Sequence, residues 1–287
     1  MRILIAGGAG MLGHQLFMHL RSVYDVKVTL REDIGHYARH GLFDSSNAYG
    51  RIDVTASATL DRVLMDFQPH AIINCIGIVK QLPIAKESIP SIEINALLPH
   101  KLAQMARKTD ARLVHFSTDC VFSGRKGGYT ETDTPDAEDL YGRTKLLGEV
   151  RGEGCLTLRT SLIGHELGRN TSLVEWFLSQ KGHARGFRNA IFNGFTTIEM
   201  ARIVEMLLTK YPAAQGVWHV SSDPIDKYTL LNLIRKHYRL DIQVEPDDVF
   251  KCKRSLDSTP FRKRFEYRPP SWENMIEEMS RLRAMQR

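Results

Sequence analysis

The sequence predicts an α/β fold with a Rossmann-type, doubly wound parallel sheet and a smaller, discontinuous C-terminal lobe. Two observations support this prediction. Short apolar runs of strand length alternate with helical stretches over residues 2–159, and a glycine-rich loop directly follows the first run. Strands that alternate with helices in this way form parallel sheets with helices on both faces. At 287 residues, the chain is long enough for one or two domains.

The predicted strands and helices alternate along the first part of the chain. Apolar and β-branched runs predict strands at residues 2–6, 26–31, 71–75, 112–117 and 156–159. Apolar residues at helical spacing predict helices at 11–21, 56–67 and 91–108, and a further helix contains Tyr141. Ligands in such sheets bind beyond the carboxyl ends of the strands. Polar residues at those ends, such as Asn74 and Ser117, are therefore candidates for a site.

A glycine loop lies between the first predicted strand and the first predicted helix. Gly7, Gly10 and Gly13 have G-x-x-G-x-x-G spacing, and Met11 and Leu12 begin the helix. Glycines at this spacing allow a tight turn, a close approach of a pyrophosphate to the amides, and close packing of the helix. The positive end of the helix favours an anion. The loop is a candidate dinucleotide site, and its interruption of the apolar N-terminus argues against a secretory signal.

The pattern becomes less regular after Ile163. Four glycines interrupt it, at positions 164, 168, 182 and 186, and indicate loops. The run 216–221 predicts a strand that returns to the sheet. We therefore expect residues 1–162, with the returning strand, to form an NAD(P)-binding domain and 163–287 to form a substrate-binding lobe.

The choice of dinucleotide depends on the end of the second predicted strand. A NAD site usually has Asp or Glu about 20 residues after the loop, whereas a basic residue suits a 2′-phosphate. Arg31 ends this strand and favours NADPH, while the adjacent Glu32 leaves NADH as an alternative. Asp53 and Val54 precede the next helix and are further cofactor candidates. Asp53 could equally be an acidic residue that stabilises the helix N-terminus.

A Tyr-x-x-x-Lys pair, Tyr141 and Lys145, is the main candidate for chemistry. Residues four apart share one face of a helix, so the Lys145 ammonium can lie beside the Tyr141 phenol. A phenol has an unperturbed pKa of about 10, and a nearby cation favours the phenolate. Alone, such a pair is most often an ordinary helix contact. Together with the glycine loop and the Ser117-Thr118 pair, it indicates a proton donor.

Composition and charge limit the classes of partner. The net charge of +6 favours anionic ligands, but no nucleic-acid-binding motif accompanies the basic residues, so we expect an anionic small substrate rather than nucleic acid. No run reaches about 18 apolar residues, so we expect no membrane span. The four cysteines are scattered without metal-ligand spacing, which predicts reduced thiols, no metal site and a cytoplasmic location.

These motifs together give the chain a resemblance to a known family. The ordered set comprises the glycine loop, Asn74-Cys75-Ile76-Gly77, Asn95, the segment 117–124, Tyr141 with Lys145, and Leu158-Arg159-Thr160-Ser161. It resembles the extended short-chain dehydrogenase/reductases, and within them the dTDP-4-dehydrorhamnose reductase family most. The resemblance covers nearly the whole chain. It implies an NADPH-dependent oxidoreductase that reduces the 4-keto group of a nucleoside-diphosphate 4-keto-6-deoxyhexose in deoxysugar biosynthesis.

The resemblance also implies roles for individual residues. Thr118 would hydrogen-bond the substrate carbonyl, Tyr141 would donate the proton, and Lys145 would bind the nicotinamide ribose. Asn95 is similar to the Asn that supports this lysine through water. The cofactor candidates at the strand ends and on the helix are Asn74, Cys75, Gly77, Ser117, Tyr141 and Lys145.

The chain departs from the reductase pattern at Cys120, where a Tyr is usual, and at Ser123, where an Asp is usual. These changes leave the catalytic set intact and leave the identity of the sugar open. Sugar-nucleotide dehydratases have a Glu at the position of Cys120, which argues against that activity. Two alternatives remain: an epimerase of the same superfamily, and a non-catalytic, NADP-binding regulatory subunit resembling the methionine adenosyltransferase beta subunit.

Substrate-binding candidates are less specific than the catalytic ones. They are Lys80, Thr118, Asp119, Cys120, Val121, Trp176, Arg185 and Arg188. Trp176 could stack on a base, and the two arginines could bind a diphosphate in a bidentate manner. Each of these side chains could instead be an ordinary core or surface residue. Some relatives are dimers, so a homodimer is an assembly that the resemblance allows.

Overall fold

The computed structural model describes residues 1–168 and 170–285. Its strands are β1 (Arg2–Ala6), β2 (Asp25–Thr29), β3 (Ala48–Tyr49), β4 (Ala71–Asn74), β5 (Arg112–Thr118), β6 (Cys155–Thr160), β7 (Leu162–Ile163), β8 (Gly182–Phe192), β9 (Phe195–Thr196), β10 (Gly216–His219), β11 (Ile225–Asp226) and β12 (Ile242–Lys253). Its α-helices are α1 (Met11–Leu20), α2 (Ser57–Phe67), α3 (Ser88–Ser91), α4 (Leu98–Lys108), α5 (Leu140–Leu147), α6 (Leu173–Ser179), α7 (Thr197–Thr209), α8 (Lys227–His237), α9 (Thr259–Arg264) and α10 (Trp272–Met285).

The chain divides into two compact units. Unit 1 comprises Met1–Thr118, Glu138–Leu158 and Ala201–Val217, and unit 2 comprises Asp119–Ala137, Arg159–Met200 and Trp218–Arg287. The first boundary falls at the carboxyl end of β5, directly after Thr118. No helix in the described part of the chain is long and apolar enough to cross a membrane.

The predicted α/β fold class is confirmed. Seven strands form one sheet in the order β10-β6-β5-β4-β1-β2-β3. Strand β1 pairs in parallel with both β2 and β4, β2 pairs in parallel with β3, and β4 with β5. Residues Ile3, Leu4 and Ile5 of β1 are almost completely buried. A strand buried on both faces reads as a continuous apolar run, which is the pattern seen in the sequence.

The core on one side of this sheet is built from α2 and α4. Leu60, Val63 and Leu64 of α2 pack with Leu102 and Ala106 of α4 in one buried cluster. These side chains recur at spacings of three and four residues, so each helix presents a single apolar stripe to the sheet. The predicted helix at 91–108 is helical throughout. It contains a π-helical segment at Ile92–Leu97 between α3 and α4.

Unit 2 contains a smaller three-stranded sheet in the order β11-β8-β12. Here the prediction of loops around Gly182 and Gly186 was wrong, because both residues belong to the 11-residue strand β8. A Cβ added at Gly186 would lie 2.7 Å from the Cα of Tyr228, so the glycine allows α8 to approach the strand closely. A glycine within a strand often marks such an approach. Ala184 and Ala190 are also buried along this strand.

Strand β12 was not predicted from the sequence. It pairs in parallel with β8, and its register shifts between Asp247 and Lys251. Ile242 and Val244 are buried at its start, while most of the later residues are exposed. An irregular strand with a proline at its fifth residue, Pro246, has no sustained alternation of apolar and polar residues, so it gives a weak strand signal.

Candidate active site

The glycine loop connects β1 to α1 as predicted. Gly7 has a φ of 89°, and its amide donates to Thr29 Oγ1 at 3.1 Å, which ties the loop to the end of β2. Gly10 is the N-cap residue of α1, and no side chain in the described part of the protein caps this helix. The first amides of α1 are therefore available to an anionic group, as the positive end of a helix favours.

Two glycines keep the loop closely packed. A Cβ at Gly13 would overlap the carbonyl oxygen of Gly7 and lie 2.9 Å from its carbonyl carbon. A Cβ at Gly8 would overlap the Val28 side chain of β2. Gly8 was not among the predicted cofactor residues, although the Gly7-Gly8 pair was a visible signal. The cradle that these glycines leave open fits the pyrophosphate of a dinucleotide.

The residues predicted to determine the preference for NADPH or NADH follow β2 and β3. Arg31 is exposed, and its Nε lies 3.8 Å from Glu32 Oε1. Asp53 accepts hydrogen bonds from the Thr55 amide at 2.9 Å and the Thr55 hydroxyl at 2.7 Å. Asp53 thus stabilises the turn before α2, and Val54, beside it, packs against the core cluster. The Arg31 guanidinium follows the end of β2, and a second guanidinium, that of Arg51, lies 3.0 Å from Asp33 in the same region.

Asn74, at the end of β4, is buried, and its side chain forms hydrogen bonds with other residues of the protein. Its Oδ1 accepts from the Ile76 amide at 3.1 Å, and its Nδ2 donates to His115 Nδ1 at 3.1 Å. Asn74 therefore orders the turn that carries Cys75 and Gly77, the latter of which is exposed. Burial raises the pKa of the Cys75 thiol, which keeps it protonated.

Helix α5 carries the predicted Tyr-Lys pair. Asp139 caps its N-terminus by accepting from the Gly142 amide at 2.8 Å. Tyr141 lies in the first turn and Lys145 in the last, on one face of the helix. Lys80, a predicted substrate residue, donates to Asp139 Oδ2 at 2.6 Å, so its ammonium holds the loop after β4 to the start of α5.

The Lys145 ammonium is buried beneath this face. Its Nζ donates to the Phe116 carbonyl oxygen of β5 at 2.6 Å. Burial lowers the pKa of Lys145 to about 8, and the negative charge of Glu149 acts in the opposite direction. Ser117 donates its hydroxyl to Glu149 Oε1 at 2.7 Å. The Ser117 hydroxyl, predicted to contact the cofactor, thus holds the carboxylate that supports the Lys145 charge.

Asn95 lies in the π-helical segment and is buried. Its Oδ1 accepts from the Ile78 amide at 2.9 Å, and its Nδ2 donates to the Ile78 carbonyl oxygen at 3.0 Å. A Cβ at Gly148, the C-cap residue of α5, would overlap the Asn95 carbonyl oxygen. Asn95 therefore joins the segment after β4 to the end of the helix that carries Lys145.

A buried histidine, His115, lies near the same lysine. Its Nδ1 accepts from Asn74, and its Nε2 has no hydrogen-bond partner within the described structure. Burial, followed by the charges of Lys145 and His100, lowers the pKa of His115 well below its usual value. The imidazole is therefore neutral and adds no competing positive charge beside Lys145.

The remaining substrate candidates belong to unit 2, except Thr118, which is buried and ends unit 1. Asp119, Cys120 and Val121 form one turn of 3₁₀-helix directly after β5. Trp176 lies on α6 and is 38% exposed, which leaves part of its ring accessible.

The two arginine candidates, Arg185 and Arg188, both lie on β8. Arg185 is exposed. The Arg188 guanidinium lies 3.5 Å from an Asp248 oxygen and 5.0 Å from the centre of the Tyr228 ring. The Arg188 guanidinium therefore already contacts two residues of unit 2. Ser123, where the reductase pattern has an Asp, donates its amide and hydroxyl to Asp136 at 2.7 and 2.6 Å.

Glu149 is a site residue that sequence reasoning missed, and it gives a pH prediction. Glu149→Gln keeps an acceptor for Ser117 but removes the charge that raises the Lys145 pKa. The lysine would then lose its proton at lower pH, so we expect the alkaline decline of turnover to move to lower pH. The measurement is the pH profile of turnover in the reductase reaction that the sequence resemblance implies. Glu153→Gln, at an exposed site, is the control. Coincident profiles for both variants would exclude this role for Glu149.

Comparisons with known proteins identify the family of this chain. The family model of the RmlD substrate binding domain matches residues 1–284. The dTDP-4-dehydrorhamnose reductase of Aggregatibacter actinomycetemcomitans is 26% identical over 235 residues, which cover 78% of this chain and 74% of that protein. Methionine adenosyltransferase 2 subunit beta of Rattus norvegicus is 32% identical over 150 residues, or 52% of this chain. That match spans only 41% of the rat protein's length.

Solved structures match the fold over nearly the full chain. A dTDP-4-dehydrorhamnose reductase from Bacillus anthracis, in complex with NADP, has a TM-score of 0.79 at 22% identity, and the match covers 97% of this chain and 98% of that one. A dTDP-4-dehydrorhamnose reductase from Clostridium acetobutylicum has a TM-score of 0.79 at 21% identity, and the match covers 99% of this chain and 100% of that one. With a family match that spans nearly every residue, this chain belongs to the RmlD substrate binding domain family within the extended short-chain dehydrogenase/reductases.

Proposed function

We propose that this protein is an NADPH-dependent oxidoreductase that reduces the 4-keto group of a nucleoside-diphosphate 4-keto-6-deoxyhexose, in deoxysugar biosynthesis. The observation that carries the proposal is the arrangement at α5. A buried Lys145 lies on the same helix face as Tyr141, in a chain whose family match runs over residues 1–284. A purely structural lysine at this position would have little reason to be buried at a cost in desolvation.

The glycine loop and α1 would hold the dinucleotide. The uncapped first turn of α1 supports binding of a pyrophosphate, and the exposed Arg31 favours a 2′-phosphate and thus NADPH over NADH. Lys145 would bind the nicotinamide ribose. Bound NADPH would supply the hydride that converts the ketone carbon into an alcohol carbon.

The side chains of this site would supply the proton and the geometry. Tyr141 would donate its phenolic proton to the carbonyl oxygen as the new C–H bond forms, so that the ketone becomes a hydroxyl group. Thr118 would donate a hydrogen bond to the same oxygen and stabilise its developing negative charge. The Lys145 ammonium would stabilise the phenolate left on Tyr141. Holding the reactants in contact removes much of the entropic barrier.

We propose that the two predicted parts of the chain have separate binding roles. Residues 1–162 would form the dinucleotide-binding domain and contribute the turn after Thr118 to the substrate site, and residues 163–287 would form the substrate-binding lobe. The protein would act in the cytoplasm as a monomer or homodimer. Asp119, Cys120 and Val121, which follow Thr118, would contact the substrate.

The direct test follows NADPH absorbance with purified protein and a panel of dTDP-, UDP- and GDP-linked 4-keto-6-deoxy sugars, with NADH in parallel. We expect stoichiometric oxidation of NADPH with one sugar. Conversion of a nucleotide sugar without net oxidation of NADPH would instead identify the epimerase alternative. Absence of any conversion, together with saturable NADPH binding, would contradict the reductase proposal.

The regulatory alternative has its own supporting observation. The methionine adenosyltransferase beta subunits match this chain at 28–32% identity over 52–56% of its length. A regulatory subunit would bind NADP without turning over any sugar. Retention of Thr118, Tyr141 and Lys145 favours the enzyme, and activation of a purified methionine adenosyltransferase by this protein would favour the regulatory role.

A further inference from the structure

A half-buried ammonium group in unit 2 has no hydrogen-bond acceptor among the described residues. Lys227 is the first residue of α8, and its Nζ lies 4.0 Å from the centre of the Phe192 ring. Its other interactions are charge interactions with Asp119, Cys252 and Cys120. An ammonium has three N–H donors, and a ring face does not satisfy them as oxygen atoms do. The group is thus arranged to donate to an acceptor outside the protein.

The backbone around Lys227 is firmly held. Asp226 caps α8 by accepting from the Thr229 amide at 2.8 Å and the Thr229 hydroxyl at 2.7 Å. Asp226 also pairs with Ile191 where β11 joins β8. The start of α8 is therefore fixed on the small sheet, and the ammonium is presented from a rigid position rather than from a mobile loop.

The segment that follows Thr118 is held at the same end of this sheet. Gly124 accepts a hydrogen bond from the Lys253 amide of β12 at 2.7 Å. A Cβ at Gly124 would lie 3.0 Å from the Cys252 sulfur, and Cys252 pairs with Ala190 of β8. The turn that contains Asp119 and Cys120 leads directly into this contact. Lys227 and this turn therefore both lie near the Ile191 end of β8 within unit 2.

We propose that Lys227 is a substrate-specificity residue whose ammonium donates hydrogen bonds to oxygen atoms of the hexose part of a nucleotide sugar. This inference rests on the proposed function, since it takes a nucleotide sugar as the substrate. Asp119 and Cys120 follow Thr118 by one and two positions, with about 3.8 Å between successive Cα atoms. The proposed function assigns Asp119 and Cys120 to the substrate, so the Lys227 ammonium, on which both residues act within unit 2, belongs with the sugar.

Charge also favours a sugar oxygen over the diphosphate. The Asp119 carboxylate acts on Lys227 and would repel a phosphate group beside it, whereas hydroxyl and carbonyl oxygens carry no net charge. Burial lowers the pKa of Lys227 to about 8, while Asp119, Cys252 and Cys120 act to raise it. The ammonium form, with all three donors, therefore predominates at neutral pH.

The test compares Lys227→Met with Lys236→Met, two identical substitutions on α8. Methionine keeps an apolar side chain against Phe192 and removes the charge. Lys236 is exposed and pairs with Glu273 at 2.6 Å, so its variant is a matched control. For the sugar that the dTDP-, UDP- and GDP-linked panel identifies, we expect the KM of Lys227→Met to rise about 10- to 100-fold, as loss of a charged hydrogen bond implies. NADPH affinity and the inhibition constants of free dTDP, UDP and GDP should remain unchanged.

The outcomes separate this inference from the proposed function. If wild-type protein turns over a sugar and the KM values of both variants agree within twofold, Lys227 is not a specificity residue and the reductase stands. If inhibition by the free nucleoside diphosphate weakens as much as KM rises, Lys227 binds the diphosphate and the inference is wrong. If no sugar is turned over, calorimetry measures the dissociation constant of each nucleotide sugar for the NADP-loaded wild-type protein and both variants. A dissociation constant that is the same for both variants would then exclude Lys227 as a specificity residue. Absence of all sugar binding overturns both proposals.

A measurement on the wild-type protein avoids any dependence on the folding of the variants. Trace acetylation of lysines with acetic anhydride is followed residue by residue by mass spectrometry, with and without the nucleotide sugars of the panel. We expect the sugar to protect Lys227, while the free nucleoside diphosphate does not, and Lys236 to react equally in all samples. Equal acetylation of Lys227 with and without a bound sugar would overturn the inference.

Discussion

Tyr141→Phe is expected to lower turnover by about 10²- to 10⁴-fold, the range that a positioned proton donor contributes. The substitution removes only the phenolic hydroxyl and leaves the aromatic ring in the first turn of α5. Lys145 keeps its hydrogen bond to the Phe116 carbonyl, so the helix and the buried ammonium remain in place. The glycine loop is untouched, and NADPH should therefore bind almost as tightly as to the wild-type protein.

The matched control for this prediction is Tyr37→Phe. The Tyr37 ring packs near Phe43, and its hydroxyl makes no hydrogen bond among the described residues, so this change should leave turnover intact. Turnover of the nucleotide sugar and NADPH affinity are measured for both variants. If Tyr141→Phe retained more than a tenth of the wild-type rate, another group would have to supply the proton.

Much of unit 1 could be predicted because its signals are local. Strand β1 was predicted at 2–6 and is observed at Arg2–Ala6, since a continuous apolar run next to a glycine loop is specific for a buried parallel strand. The Tyr141 and Lys145 pair was recognised from its spacing of four residues. Their helix is present, and the spacing alone places them on one face.

The features that were missed depend on tertiary neighbours. Gly186 reads as a loop residue in isolation, and only the approach of α8 explains why a glycine stands inside β8. The role of Glu149 depends on its contact with Ser117, which lies 32 positions earlier in the chain on β5. The sequence around Lys227 suggests an ordinary surface lysine, and only the packing of α8 against β8 shows that its ammonium has no hydrogen-bond acceptor among residues 1–168 and 170–285. No spacing rule in a single sequence encodes such contacts.

Gly13→Ala is expected to weaken NADPH binding by at least about tenfold and to destabilise unit 1. The new Cβ would overlap the Gly7 carbonyl oxygen and come within 3.1 Å of the Gly8 Cα, so the loop must open away from α1. Backbone atoms cannot rotate aside as a flexible side chain can, and such overpacking typically costs about 1–3 kcal/mol. Opening the loop also moves the first amides of α1 away from the pyrophosphate that they would bind, which is a separate loss of affinity.

Fluorescence titration with NADPH and circular dichroism separate these two effects. Gly35→Ala is the control, because among the described residues its Cβ would meet only the exposed Asp33 side chain, at 3.2 Å, and the change should alter neither measurement. In Gly13→Ala, a folded spectrum with weakened binding would locate the defect in the loop itself. NADPH affinity equal to that of Gly35→Ala would show that the cofactor does not depend on close packing between the loop and α1, and the dinucleotide site would have to lie elsewhere.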